Sequence, residues 1–156
     1  MRLKDFMSRG VKTIRAGQSL EAAYQEMKLQ KIRHLVVIEG KAVAGILSER
    51  DLKGMNPRDR KAQRVADVMH EHVVTANPEM TVREAANLMR GQIIGCLPVL
   101  EKDRLVGIIT VTDLLNLIGQ GIERITPDVS RRPVVRETPN RARREFNRKV
   151  LFKKKR

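Results

Sequence analysis

Two short segments of the chain place a glycine, a hydroxyl side chain and a carboxylate at the same spacing. They contain Gly45, Ser48 and Asp51 in one case, and Gly107, Thr110 and Asp113 in the other. A hydroxyl and a carboxylate three residues apart can share the first turn of a helix, behind a glycine that lets the backbone turn or approach closely. The free N–H groups of that turn can bind a phosphate, and the carboxylate can accept hydrogen bonds from a ribose. A purely structural role as a helix cap is the alternative.

Both segments belong to an internal repeat. The sequence matches itself without gaps at an offset of 62 residues, and the register holds from Asp5 to Leu52 of the first copy. Identical pairs include Asp5 with Asp67, Val11 with Val73, Met27 with Met89, and Leu35 with Leu97. We therefore predict repeat 1 at 1–60, repeat 2 at 61–125 and a C-terminal tail at 126–156, which begins among three helix-interrupting prolines.

Each copy predicts the order β-α-β-β-α. A short strand ends at Thr13 or Thr75, and Ser19 or Thr81 then stands where the N-cap of an amphipathic helix is expected. Two β-prone runs joined by a polar turn predict a hairpin, and the hydroxyl of the motif can cap a closing helix. The predicted hairpin strands are 35–38 with 43–47 and 97–100 with 105–109. Neither copy can cover both faces of its sheet alone, so we expect the two repeats to pack against each other.

This order of helix, hairpin and Gly-x-x-Ser/Thr-x-x-Asp, present twice, resembles a tandem pair of cystathionine β-synthase-type (CBS) domains, known as a Bateman module. The resemblance covers residues 1 to about 120. It implies an α/β fold of two β-α-β-β-α repeats packed as a pseudo-twofold module, with the basic tail outside it. It also implies a non-catalytic sensor of adenine nucleotides (AMP, ADP, ATP or an S-adenosyl compound) that dimerises, requires no cofactor and modulates a partner.

The resemblance further implies which residues bind the nucleotide. Asp51 and Asp113 would bind ribose, and Ser48 and Thr110 would bind a phosphate. Thr13 and Thr75 resemble residues that approach ribose and base, while the backbone near Val11 and Val73 would read the adenine edge. The sequence leaves open which threonine serves which aspartate. Four apolar residues could line a slot for the base or pack in the core: Ile32, Leu35, Ile94 and Leu97.

The two repeats differ in charge around the motif. Repeat 1 has Lys31, Arg33, His34 and Arg50 where repeat 2 has Ile93, Gly95, Cys96 and Thr112. The pair Arg33 and His34 resembles the Arg/His pair by which family members hold phosphates, and an exposed pair at a strand edge is the alternative. We expect phosphate binding to be stronger at the site that this cluster faces.

The sequence does not predict an enzyme. Three histidines and one cysteine provide no nucleophile elbow, no HExxH helix and no multi-cysteine metal set. The segment His70-Glu71-His72 is a weak metal pattern in an expected exposed turn. Cys96 is expected to be a small buried residue, and a single cysteine allows no internal disulfide, which fits a reducing cytosol. We predict no catalytic residue and no metal site.

The net charge of +14 is concentrated in the tail, where 12 basic residues stand against two glutamates between 131 and 156. Ala142, Phe146 and Val150 recur every four residues, so that 140–156 can form a basic amphipathic helix. It could contact nucleic acid, an anionic lipid or acidic protein surface, or remain a solvated or oligomer-packing tail. The chain has no Trp, one Tyr and three Phe, so nucleic-acid binding would depend on phosphates and salt rather than base stacking.

Composition also indicates where the protein acts. No apolar run approaches the roughly 20 residues that span a bilayer, and the N-terminus lacks the apolar segment of a signal peptide. A cytoplasmic location is expected. The 36 residues after 120 leave no room for a catalytic domain, so we expect a stand-alone sensor of a separate partner protein. The alternative is a nucleic-acid-binding accessory protein that acts through 140–156, with the repeats as a scaffold.

Overall fold

The computed structural model describes residues 1–121, which hold predicted repeat 1 and all of predicted repeat 2 except 122–125. The predicted tail at 126–156, including the basic helix at 140–156, lies outside the described residues. Each repeat is a mixed α/β unit, and the two pack on each other as the sequence predicts. No helix in the described part of the chain is long and apolar enough to cross a bilayer.

Repeat 1 consists of a three-stranded sheet and one main helix. Its elements are β1 (Thr13–Arg15), α1 (Leu20–Gln30), β2 (His34–Glu39) and β3 (Ala42–Ser48). Strand β2 lies in the middle, parallel to β1 and antiparallel to β3. The Ser19 hydroxyl accepts a 3.2 Å hydrogen bond from the N–H of Ala22, which confirms the predicted N-cap.

The closing helix predicted for repeat 1 is not a continuous α-helix in the structure. After Ser48 the chain makes only a 3-10 turn, Glu49–Leu52, and a separate helix α2 (Pro57–Ala62) follows. The two pieces are separated by Lys53, which is extended, and by Gly54, whose φ of +85° no α-helix allows. Repeat 2 has Asn116 where repeat 1 has Gly54, and its helix continues.

Repeat 2 follows the prediction closely from its main helix onward. Helix α3 (Val82–Gln92) leads to the hairpin of β4 (Cys96–Glu101) and β5 (Arg104–Thr110), and α4 (Val111–Gly119) closes the repeat. Thr81 caps α3 through a 3.2 Å hydrogen bond from the N–H of Glu84. The two-residue turn of this hairpin places Lys102 and Asp103 at positive φ, as a type I′ turn requires.

The first strands differ from the prediction in both repeats. Strand β1 begins at Thr13 rather than ending there, and repeat 2 has only an isolated parallel bridge between Ala76 and Val99. In repeat 1 the N–H of Val36 donates to the Lys12 carbonyl at 3.3 Å. The equivalent residue in repeat 2 is Pro98, which has no N–H to donate, so the ladder there is shorter.

The two repeats exchange their opening segments. Leu3 and Met7 are buried in the core of repeat 2, and Ser8 pairs with Ile108 of β5 through N–H to carbonyl bonds of 2.9 Å in both directions. In the same way, the segment that opens repeat 2 pairs with repeat 1, where His70 and Ile46 form the equivalent bonds of 2.9 and 3.0 Å. This reciprocal exchange gives the module its pseudo-twofold packing.

The glycine of each motif has a packing role. A Cβ on Gly45 would lie 2.7 Å from the Met69 sulfur and 3.1 Å from the His70 carbonyl oxygen, which is already bonded to Ile46. A Cβ on Gly107 would likewise strike Met7. Neither glycine has a positive φ. The motif glycine therefore permits the exchanged segment to approach β3 or β5 closely.

Candidate functional site

A cleft of about 1370 Å³ lies between the two repeats. It is bordered by the segment that precedes β1, by the start of β2, by the residues just before β4, by the turn that follows β3 and by the first turn of α4. Seven of the predicted binding residues line it: Val11, Arg33, His34, Ser48, Arg50, Thr110 and Asp113. The cleft is therefore where most of the predicted chemistry converges.

Five predicted binding residues do not line this cleft. Leu97 is fully buried in the core of repeat 2, and Thr13 is exposed at the start of β1. Val73 and Thr75 are half-buried in the segment before Ala76. Asp51 is also half-buried, and its carboxylate is engaged by neighbouring residues described below. The cleft thus contains Val11 and Asp113 but not their repeat equivalents Val73 and Asp51.

The exchange of opening segments decides which motif faces which segment. Ser8 to Lys12, from repeat 1, lie in the cleft with Thr110 and Asp113 from repeat 2. The segment that begins at His70, from repeat 2, contacts the motif of repeat 1 instead. Each opening segment therefore accompanies the aspartate of the other repeat, which the sequence repeat alone left undecided.

Thr110 and Asp113 form a helix cap that leaves one carboxylate oxygen available. Asp113 Oδ2 accepts hydrogen bonds from the Thr110 hydroxyl at 2.7 Å and from the Thr110 N–H at 2.8 Å, while the Asp113 N–H donates to Thr110 Oγ1 at 3.3 Å. Oδ1 has no hydrogen-bond partner among residues 1–121. The capping role and a ligand-binding role are thus compatible, because each uses a different oxygen.

Ser48 and Asp51 repeat the two hydrogen bonds to Oδ2, and Asp51 has one further contact. Asp51 Oδ2 accepts from the Ser48 hydroxyl and from the Ser48 N–H, both at 2.7 Å, and Oδ1 lies 3.0 Å from His70 Nε2. Partial burial raises the pKa of Asp51, but the hydrogen bonds from Ser48 and His70 outweigh it and hold the pKa below its usual range. Both oxygens of this carboxylate are occupied.

Arg33 and His34 meet repeat 2 across the cleft. Arg33 Nη2 donates a 2.6 Å hydrogen bond to Thr112 Oγ1, and a Cβ on Gly95 would lie 3.1 Å from His34 Nε2, so the imidazole packs directly on that glycine. Burial lowers the pKa of His34, and the charge of Arg33 lowers it further. His34 is therefore neutral at pH 7, so that it can offer a phosphate an N–H group but no charge.

The cleft is strongly cationic. Besides Glu49 and Asp113, its ionised lining consists of eight basic side chains: Lys12, Lys28, Lys31, Arg33, Arg50, Lys53, Arg60 and Arg90. All four members of the predicted basic cluster, Lys31, Arg33, His34 and Arg50, are in the lining. Positive charges around a concave surface strengthen the electrostatic potential inside it, which favours the binding of anionic ligands.

Arg60 is a cleft residue that the sequence did not reveal. It is almost fully buried, donates from Nε to Glu21 at 2.7 Å and from Nη1 to the Met55 carbonyl at 2.6 Å, and lies 4.0 Å from the ring centroid of Tyr24. Its charge is compensated by Glu21, so we regard it as a support for the cleft wall. Glu21 and Arg60 lie 39 residues apart, and no local pattern could predict their contact.

An apolar wall completes the cleft. Ile32 and Ile94, which the sequence suggested for a base slot, line it together with Ile93, Ile108 and Leu115. Leu35 and Leu97, the other two candidates, are fully buried in the two cores. A planar apolar ring can bury its faces against such a wall while polar groups meet the basic rim.

Two further sequence expectations concern metals and thiols. Among residues 1–121, no three His, Cys, Asp or Glu side chains come together closely enough to hold a metal ion. Cys96 is buried, as predicted, and burial raises the pKa of its thiol to about 11. This thiol is therefore protonated at neutral pH and makes a poor nucleophile.

Comparison with known proteins identifies both repeats. The family described as CBS domain matches the chain twice, over residues 3–55 and 65–120. A CBS domain-containing protein of Dictyostelium discoideum is 32% identical over 139 residues, which covers 80% of this chain and 96% of that protein.

Solved structures agree with this match. A signal-transduction protein with CBS domains from Burkholderia ambifaria superposes with a TM-score of 0.71 at 26% identity, covering 81% of this chain and 100% of that one. The CBS domain pair of protein MJ0100, solved in complex with 5′-methylthioadenosine and S-adenosyl-L-methionine, has a TM-score of 0.71 at 25% identity and covers 78% and 98%.

Proposed function

This chain belongs to the CBS domain family, and we propose that its tandem pair of domains is a non-catalytic regulatory module that binds an adenosine-containing ligand in the cleft between the repeats. The observation that carries the proposal is the position of Asp113. Its Oδ2 is held by Thr110, while Oδ1 has no hydrogen-bond partner among the described residues and lies in a cleft with a basic rim and an apolar wall.

Each part of the ligand has a chemically matched part of the cleft. Vicinal ribose hydroxyls would donate to Asp113 Oδ1, because a carboxylate accepts hydrogen bonds and offers none. Adenine would pack between Ile32 and Ile94, near the backbone of Val11. Phosphates would meet Arg33 and Arg50, and the surplus of basic side chains favours ATP or ADP over AMP. The adenosyl ligands of the MJ0100 pair support this class of ligand.

The regulatory part of the proposal concerns partners. We propose that the protein acts in the cytoplasm as a homodimer and transmits ligand occupancy to a separate protein. The exposed apolar side chains of α4 support association, because Val111, Leu115 and Ile118 recur at a spacing that places them along one face of the helix. Val111 and Leu115 also border the cleft, so the proposed dimer face adjoins the ligand site. Light scattering on wild type and Ile118→Lys tests the dimer, which the substitution should convert to monomer.

A second candidate function rests on the tail. The 12 basic residues between 131 and 156 could give a salt-dependent contact with nucleic acid, for which the CBS pair would serve as a scaffold. The cleft would then be dispensable for the main activity. The two candidates place the activity in different parts of the chain.

A thermal-shift panel tests the proposed ligand class. ATP, ADP, AMP, S-adenosylmethionine and 5′-methylthioadenosine are compared with tripolyphosphate, which carries charge without adenosine. A ligand at 100 times its dissociation constant should stabilise the fold by about 2.7 kcal/mol. At roughly 2–4 °C per kcal/mol for a chain of this size, the midpoint should rise by several degrees. A shift with tripolyphosphate alone, or with none of the adenosine ligands at millimolar concentration, would refute the proposal.

A further inference from the structure

The two motif aspartates occupy equivalent positions in the repeats but differ in one hydrogen-bond partner. Asp51 Oδ1 lies 3.0 Å from His70 Nε2, whereas Asp113 Oδ1 has no partner within residues 1–121. The offset of 62 residues makes Ser8 the equivalent of His70. The difference between the two carboxylates therefore depends on the side chain at this one position.

The backbone at the two positions is equivalent, so that only the side chains differ. Ser8 forms an antiparallel bridge with Ile108, and His70 forms the same bridge with Ile46. In each case the residue borders the motif aspartate of the opposite repeat. Ser8 lines the cleft, but its short side chain makes no hydrogen bond to Asp113. The longer imidazole at position 70 reaches the carboxylate.

We infer that His70 determines which of the two aspartates is open to a ligand, by occupying on Asp51 the oxygen that Asp113 keeps available. This inference rests on the proposed function. A ribose at Asp51 would have to break the His70 bond and displace the ring, whereas a ribose at Asp113 would displace no side chain. The module thus has one preferred site per chain and a second, weaker one.

The solvent exposure of His70 indicates whether its side chain can be displaced from Asp51 by a ligand. Its side chain is 68% exposed, while that of Asp51 is only 15% exposed. The ring therefore lies over the carboxylate from the solvent side and can swing away without disturbing the core. It competes with a ligand and does not exclude one permanently. Replacement of His70 should open the site without unfolding the protein.

Reciprocal substitution in the full-length protein tests this role. The variants are His70→Ser, which gives Asp51 the environment of Asp113, and Ser8→His, which does the reverse. His72→Ser is the matched control, because His72 is an exposed neighbour that makes no hydrogen bond to Asp51. Titration calorimetry with ATP and with S-adenosylmethionine measures the number of sites and both affinities, and a thermal melt of each variant confirms that it is folded.

We expect wild type and His72→Ser to bind close to one ligand per chain, with any second site at least about tenfold weaker. Tenfold corresponds to about 1.4 kcal/mol, close to the lower end of the range for a hydrogen bond to a charged group. His70→Ser should tighten the second site by about tenfold, and Ser8→His should weaken the first by a similar factor. An unchanged second site in folded His70→Ser would overturn the inference and leave the proposed function standing. Absence of binding in every variant, wild type included, would overturn both.

Discussion

The Arg33 guanidinium donates a 2.6 Å hydrogen bond to the Thr112 hydroxyl and so joins the start of β2 in repeat 1 to the first turn of α4 in repeat 2. At the offset of 62 residues, the reverse contact would pair Gly95 with Arg50, and glycine has no side chain to make it. The contact is therefore one-sided. It uses one of the five N–H donors of the guanidinium and leaves the others for an anion in the cleft.

This geometry predicts the effect of Arg33→Ala. Loss of a charge-assisted hydrogen bond of about 1.5–3 kcal/mol should weaken ATP binding by roughly tenfold or more. AMP binding should decrease less, so the preference for ATP over AMP should decline. Titration calorimetry measures both ligands, with Arg83→Ala as the control because this exposed arginine of α3 lies outside the cleft. An unaltered ATP preference in Arg33→Ala would remove the phosphate role of this residue.

The close approach at Gly45 predicts a loss of stability in Gly45→Ala. The added methyl would crowd Met69 and the bonded carbonyl of His70, and overpacking of this kind costs about 1–3 kcal/mol. The melting midpoint should decrease by several degrees, at roughly 2–4 °C per kcal/mol. Gly91→Ala in α3 is the matched control, since a Cβ there meets no atom within 4 Å and alanine favours helix by about 0.5–1 kcal/mol. Equal midpoints for the two variants would contradict the packing role of Gly45.

The lowered pKa of His34 predicts how stability responds to pH. Burial and the charges of Arg33 and Arg50 disfavour protonation, while Asp51 partly opposes them. As the pH falls through about 6.5, the ordinary value for histidine, the unfolded chain gains a proton at this residue that the folded chain resists. Stability should therefore decrease between about pH 7.5 and 5.5, and His34→Gln should flatten that decrease. Thermal melts at these two pH values measure the decrease in stability, with the exposed His72→Gln as the control. A pH profile of His34→Gln as steep as that of wild type would show that His34 does not cause the decrease.

The charge of the tail predicts a separable association with nucleic acid. Replacement of Lys153, Lys154 and Lys155 by Gln in the full chain removes three of the 12 basic residues between 131 and 156. Any association with DNA or RNA should weaken and show a smaller salt slope, by about 0.7–0.9 for each phosphate that is no longer neutralised. Ligand binding in the cleft should be unchanged. Undiminished nucleic-acid binding by the variant would show that these lysines do not carry it.

Local patterns predicted most of the secondary structure. The caps at Ser19 and Thr81, both main helices and both hairpins depend on residues close in sequence, where propensity and periodicity act. Two errors also have local causes, which became clear only in three dimensions. Gly54 ends the turn after Ser48, and Pro98 removes a donor that the first strand of repeat 2 would need.

Long-range arrangement was less predictable. A repeat at a fixed offset does not say whether an opening segment stays with its own repeat or crosses to the other, because both choices bury the same residues. The crossing placed Asp113 with Ser8 and Asp51 with His70. The offset did contain one usable signal, the mismatch of Ser8 with His70. Nothing in the sequence pattern indicated that Arg60 would be buried against Glu21 and Tyr24.

Titration calorimetry of wild type and Asp113→Asn with ATP and AMP tests the central claim most directly. The amide oxygen of asparagine can still accept from Thr110, while its NH₂ group replaces the open oxygen with a donor. The variant should therefore keep the fold, with a loss of about 0.3–1 kcal/mol from the missing charge at the helix N-terminus, and lose at least about tenfold in affinity for both ligands. Asp113→Ala, by comparison, should lose about 1 kcal/mol of stability with the hydrogen bonds that Thr110 donates to this carboxylate. Wild-type affinity in Asp113→Asn would contradict the claim that this carboxylate binds the ribose of an adenosine ligand.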